Sequence, residues 1–326
     1  MFKIRNILFV SAIFNTITVV AQVKDTTEEW QPSIAALVHL DSIVVKAAKA
    51  GFDVEDFIRR VEEDQSFYIA FHNLRLLSYQ SDNSIRHFDK KRREQASYHA
   101  EIAQISDGNC RTMQYLKEES TGNFFKNKKK RTYKWYTARM FDRLFFTHGR
   151  VCESDAAQSG GAVEDGQEGA MEKHVNQLKK LIFQPGEEVN VPLIGKKTAL
   201  FSDRLSSYYD YSVTSRVYDN GIDCFVFSAI VKPEYLARKE GKTVIKQLET
   251  FFDKSNYQVV ARNYQLQYEG PLFDFDVSMQ IRLGKLGDLY VPQWLQYDGY
   301  WDVPAHKPEI CRFEAKFYSF QSPTKN

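Results

Sequence analysis

Phe273-Asp274-Phe275-Asp276-Val277-Ser278-Met279-Gln280-Ile281-Arg282-Leu283 alternates without a break, apolar at every odd position and polar at every even one. A strand with one buried and one solvated face requires this period, because successive side chains point to opposite sides. The segments around it follow the same grammar. Tyr211 to Tyr218 leads through Asp219-Asn220-Gly221, a hairpin signal of the type I′ kind, into Asp223 to Val231. Thr243 to Phe252 turns at Asp253-Lys254-Ser255-Asn256 into Tyr257 to Tyr268, and Gly270-Pro271 precedes the quoted strand. Leu289 to Tyr297 follows, then Glu309 to Phe320, where Cys311, Phe313, Ala315 and Phe317 alternate with Arg312, Glu314 and Lys316. Seven such strands with short links predict one strongly curved antiparallel sheet, apolar on one face and wet on the other.

Upstream the period changes. From Ile34 to Ala50, Ile34, Leu37, Val38, Val45 and Ala48 share one helical face, with Gly51 as its carboxyl cap. Asp53 and Asp56 have the spacing of a capping box, and Val54, Phe57, Ile58, Val61 and Tyr68 continue an apolar stripe along a second helix. Beyond Asn73 the pieces are strand-like: Leu74 to Tyr79, Ala96 to Ile105, Arg111 to Leu116 and Tyr133 to Val151, divided by turns such as Asp107-Gly108-Asn109. Glu153 to Glu172 holds six acidic residues, three glycine-bearing turns and no Lys or Arg, which reads as a mobile surface loop. A short helix from Glu172 to Phe183 is stopped by Pro185-Gly186. The class is therefore α+β: a large curved antiparallel sheet, an incomplete barrel, with amino-terminal helices on its concave face.

Lys3 and Arg5 precede an apolar run from Ile7 to Val20, and Val19-Val20-Ala21 supplies small residues for a signal-peptidase site, so residues 1–21 read as a signal peptide. The run is interrupted by Ser11, Asn15, Thr16 and Thr18, and no second one of spanning length follows. A mature chain without a transmembrane segment, exported to a periplasmic or extracellular space, is the expectation. Losing Lys3 and Arg5 brings the basic residues from 44 to 42, equal to the acidic ones, so net charge names no partner. Four cysteines in an exported chain favour disulfides, and four allow three connectivities. Cys110 with Cys152 and Cys224 with Cys311 is the preferred pairing, since each pair lies within one strand-rich half.

Catalytic patterns are absent from the sequence. Asp274 and Asp276 share a strand face, but the wet one. His99 and Glu101 lack the P-C-x-x-C partner of zinc deaminases, and His72, His87, His148, His174 and His306 are scattered without H-E-x-x-H spacing. Neither a metal nor a cofactor is implied, and an enzyme is not expected. The segment from Phe124 to Arg139 carries seven basic residues and no acid. In an exported chain Lys126, Lys128, Lys129, Lys130 and Arg131 suit an acidic envelope partner or anionic lipid rather than nucleic acid, and otherwise form a solvated hairpin tip.

Helices first, then a meander ending in residues 273–283, in Tyr290-Val-Pro-Gln-Trp-Leu-Gln-Tyr-Asp-Gly299 and in Phe313-Glu-Ala-Lys-Phe317, resembles the LolA/LolB-like outer-membrane lipoprotein carriers. It resembles more closely the uncharacterised exported proteins that share their fold. The resemblance implies a single domain over residues 22–326, whose apolar interior takes acyl chains of a lipid or lipidated protein. The chain departs from the carriers in its length, its cysteines and its acidic loop, and no residue matches their lid-closing arginine. Two functions follow as expectations. One is an exported protein binding a lipid-like or lipoprotein ligand in an apolar cavity between sheet and helices, lined by Phe273, Phe275, Val277, Met279 and Ile281. The other is an envelope docking protein with a filled core and no small-molecule ligand.

Overall fold

The computed structural model describes residues 54–152, 177, 180–191, 194–218, 221–236, 241–270, 274–302 and 306–321. The signal peptide, the helix expected from Ile34, the acidic loop from Glu153 and Phe273 lie outside the described residues.

Two helices come first, α1 (Val54–Glu63) and α2 (Ser66–Leu76). Strands β1 (Ser78–Phe88), β2 (Glu94–Asp107) and β3 (Cys110–Gly122) follow as a meander. Next are a small hairpin, β4 (Phe125–Asn127) with β5 (Thr132–Tyr133), helix α3 (Tyr136–Phe145) and the two-residue β6 (Val151–Cys152). After the short helix α4 (Asp203–Ser206), seven strands run in succession. They are β7 (Tyr209–Tyr218), β8 (Ile222–Val231), β9 (Ile245–Asp253), β10 (Val259–Glu269), β11 (Asp274–Leu286), β12 (Leu289–Asp302) and β13 (Glu309–Gln321).

All but β4 and β5 join one eleven-stranded sheet in the order β6-β3-β2-β1-β13-β12-β11-β10-β9-β8-β7, and every paired neighbour is antiparallel. The seven-strand meander stands as the alternation predicts, and β13 takes β1 as its next neighbour. Two-residue loops tighten two of the hairpins. Asp107 pairs with Cys110 around Gly108, and Leu286 pairs with Leu289 around Gly287. Both glycines hold a positive φ, +61° and +60°, at the first loop position, where a type II′ turn needs a residue without a Cβ.

The sheet is open, and it curls. β3 and β10 are six strand positions apart, ~29 Å in a flat sheet at ~4.8 Å per strand. Yet α2, eleven residues and therefore ~16 Å long, packs against β3, β10 and β12 together. The helices thus sit in the concave face, as predicted.

Three sequence expectations are corrected. Leu74 to Tyr79 is not one strand: Leu74 to Leu76 are the last turn of α2, and β1 begins at Ser78. Tyr133 to Val151 is not strand: most of it is α3, whose Met140, Phe141, Leu144 and Phe145 turn one apolar side to the sheet. Cys110 and Cys152 form the expected disulfide, but Cys224 and Cys311 are free, buried thiols. They belong to β8 and β13, five sheet positions apart, which is beyond the ~7 Å over which two Cα atoms can be bridged. Burial pushes the Cys224 thiol up to about 11.

Candidate functional site

α2 is fixed at both ends. Before its first turn, Asp64 accepts from the backbone N–H of Ser66 at 3.0 Å and of Phe67 at 3.3 Å. The same carboxylate meets Arg262 of β10 at 3.2 Å; the guanidinium is fully buried and lies 4.5 Å from the centre of the Phe67 ring. At the other end, Gln104 of β2 donates its amide to the carbonyls of Leu74 (3.0 Å) and Leu77 (2.8 Å), while the Ser106 hydroxyl donates to Leu76 (2.8 Å). These partners satisfy the carbonyls that a helix end leaves without intrahelical donors.

α3 is fixed by β13. Glu309 accepts from the backbone N–H of Tyr136 (2.7 Å) and Thr137 (3.0 Å), a cap reached from 172 residues away in sequence. Phe141 stacks on Phe313 with centroids 4.6 Å apart, and Phe145 lies 4.7 Å from the same ring. Behind the helix, Thr147 N–H points to the Met113 sulfur at 3.0 Å.

Between α2, α3 and the sheet lies a cavity of about 830 Å³. Its floor is Met279, Ile281, Leu295, Tyr297 and Phe317 from β11, β12 and β13; its walls include Phe71, Leu74, Phe141 and Phe145. Phe183, in contact with Phe67, Phe71 and Tyr68, forms the third wall. A volume in the ~300–1,000 Å³ range, apolar over most of its lining, is what small-molecule sites have in common.

The floor therefore includes two of the residues the alternation singles out, Met279 and Ile281. Phe275 and Val277 share their face but lie where the core is filled; Phe275 stacks on Trp301 at 5.1 Å and does not reach the cavity. The sequence reading missed the walls, and it missed Arg75, Arg111 and Arg143, which also line the cavity. The i, i+1, i+4, i+5 spacing of Met140, Phe141, Leu144 and Phe145 was the available signal for α3. Nothing local marks the arginines.

In the basic segment Lys126, Lys128, Lys129 and Lys130 are exposed around the hairpin tip. Arg131 is not one of them. With φ +47° it turns inward, donating to Glu118 at 2.6 Å and to the Tyr98 hydroxyl at 2.9 Å, its guanidinium 4.6 Å from the Tyr115 ring centre. Asp274 and Asp276 accept from Gly270 N–H and from the amides of Gln265 and Gln267, a structural role on the outer face. Among the described residues no group of three metal-capable side chains occurs, and no helix is long and apolar enough to cross a membrane.

No family model matches the chain, and no curated protein matches it in sequence. Among solved structures, a domain named for outer membrane lipoprotein sorting from Vibrio parahaemolyticus aligns over 86% of this chain and 94% of its own, at 8% identity and a TM-score of 0.27. A DUF1329 family protein from Desulfovibrio piger aligns over 86% and 95%, also at 8% identity, with a TM-score of 0.22. Superpositions this loose lend no weight to any function.

Proposed function

We propose that this chain is a non-catalytic carrier or sensor that shelters an apolar, lipid-like ligand between its sheet and its helices. The cavity carries the reading: about 830 Å³ left open at the centre of a sheet whose flanks are close-packed. An open apolar volume forfeits contacts that a filled core would make, so it is retained where something else fills it. The Cys110–Cys152 disulfide supports an oxidising compartment outside the cytoplasm.

The test is uptake of a fluorescent fatty-acid analogue by the delipidated protein, with Met279→Trp and Gln280→Lys as variants. Trp at 279 enters the cavity floor, so uptake should fall at least tenfold, a change of ~1.4 kcal/mol or more, while stability changes little. Gln280 faces water, and its variant should behave as the parent. Failure of the parent to take up the probe, or a loss of ~1–3 kcal/mol of stability in Met279→Trp through overpacking, would refute the reading.

The docking alternative has one specific observation behind it. The four exposed lysines are presented by a hairpin that Arg131 locks to β2 and β3, a rigid basic tip suited to an acidic surface.

A further inference from the structure

The sheet ends differently at its two edges. Along β3, Glu101 pairs with Lys117 and Ile102 with Tyr115, so Leu116 is an extra, bulged residue, and Lys117, Glu118 and Glu119 follow it. Bulges and runs of charge keep a sheet edge from pairing with another chain. β7 has neither. It runs in unbroken register with β8 from Tyr209 to Tyr218, and among the described residues nothing pairs with its other side. α1 covers the inner face nearby, with Phe57 against Phe225 of β8, and leaves Ser215, Arg216 and Val217 exposed, Val217 at 71%. Ten residues of edge are thus open as a template for a further strand.

The two charged residues of β7 decide what that edge can accept. Odd-numbered residues of β7 share the helix-bearing face: Val213 lies opposite Phe227, Phe227 opposite Thr250, and Thr250 opposite Arg262, whose guanidinium lies on Phe67 of α2. Asp210 and Arg216 are even-numbered and so point to the outer face. Both are exposed, and among the described residues neither has a hydrogen-bond or ion-pair partner. They stand three residues to either side of Val213. An antiparallel copy of β7 centred on Val213 therefore sets Asp210 opposite Arg216 of the partner subunit, and Arg216 opposite the partner's Asp210. On the inner face the same pairing brings Tyr209 beside the partner's Val217. Moving the centre to Ser212 or Thr214 loses both opposite-charge pairs.

We infer that the chain forms a two-fold dimer through β7, two copies of its sheet joined edge to edge in this register. The interface is isologous, as two-fold symmetry requires. Main-chain hydrogen bonds supply its affinity, and the opposed charges select this register over a slipped one. No β7 residue is among the cavity's described lining residues, so the pairing does not touch that lining.

Sedimentation equilibrium over a concentration series tests it. The purified protein should pass reversibly from monomer to dimer, as an interface at the small end of specific contacts does. Asp210→Arg and Arg216→Asp each set like charges opposite one another at both ends of the paired strands. Each variant alone should therefore dimerise about tenfold or more weakly than the parent, while keeping the parent's unfolding midpoint because both positions are exposed. Mixing the two variants restores both opposite-charge pairs, and the mixture should form heterodimers about as tightly as the parent dimerises. A parent that stays monomeric throughout the series, single variants that dimerise as the parent does, or a mixture as weak as its components would each overturn the pairing.

Discussion

His87 shows how a polar side chain is made to serve as core. It is fully buried on the inner face of β1, stacked on Trp135 at 4.4 Å, with its Nε2 2.9 Å from the Thr137 hydroxyl. That hydroxyl donates its own hydrogen to Glu309 at 2.7 Å, so the hydrogen between His87 and Thr137 belongs to the ring, and Nδ1 has no partner. Burial pushes the imidazole pKa down to about 3. Between the ordinary value of about 6.5 and about 3 the unfolded chain therefore binds a proton that the folded one does not, and stability falls as pH falls, by at most ~1.4 kcal/mol per pH unit. His87→Phe keeps the ring against Trp135 and removes the titration. Urea denaturation from about pH 7 to about pH 4 should show the parent losing stability relative to the variant by ~1 kcal/mol per unit over the lower part of that range. Parallel pH profiles would assign the acid sensitivity to another group.

At the scale of elements, what the sequence discloses depends on whether an element's inner face is apolar. β7 to β13 begin within two residues of where alternation puts them, because Val, Leu, Phe and Tyr mark their buried positions. β1 escaped that reading. Its inward residues are Tyr79, Ser81, Asn83, Ile85 and His87, three of them polar, and Asn83 and Ser81 pair with each other, Asn83 donating to the Ser81 hydroxyl at 2.8 Å. α3 escaped for a different reason: its first turn lies inside an aromatic and basic run, and its cap is remote. The residue before it, Trp135, contributes no side-chain cap, and Glu309 does so from β13. Met279 and Ile281 were therefore legible as cavity floor, whereas the arginines meet only once α2, β3 and α3 are assembled. Replacing the remote cap should be costly for its size. Glu309→Ala removes the acceptor of two N–H groups, the one on Thr137 buried and the one on Tyr136 partly so, and should lower the unfolding free energy by ~1–3 kcal/mol, with Glu309→Gln falling between it and the parent in the same denaturation assay. A loss under ~0.5 kcal/mol would mean that the aromatic contacts of α3 with Phe313 hold it without the cap.

Across the whole molecule, the sheet's two halves are built unequally. β7 to β13 and β1 to β2 are long strands with neighbours on both sides or a full hairpin partner, but the last strand at the other edge, β6, pairs only Cys152 with Cys110 and Val151 with Arg111. The disulfide sits on that pair and closes a loop with a sequence separation of 42, which contains the basic hairpin and α3, a wall of the cavity. A crosslink over such a loop removes unfolded-state entropy worth ~4 kcal/mol in the chain-entropy model, far more than a two-residue ladder supplies. Reduction, or the double substitution Cys110→Ser and Cys152→Ser, should therefore loosen this region before the rest. Hydrogen exchange followed by mass spectrometry should show protection falling in α3 and β6 while β9 to β12 keep theirs, as expected when regions open with different free energies. Bound fluorescent probe should then leave faster, because the wall carrying Phe141 and Phe145 opens more often. If protection instead falls uniformly through the sheet, the molecule unfolds as one unit, and the disulfide's contribution belongs to global stability rather than to the cavity wall.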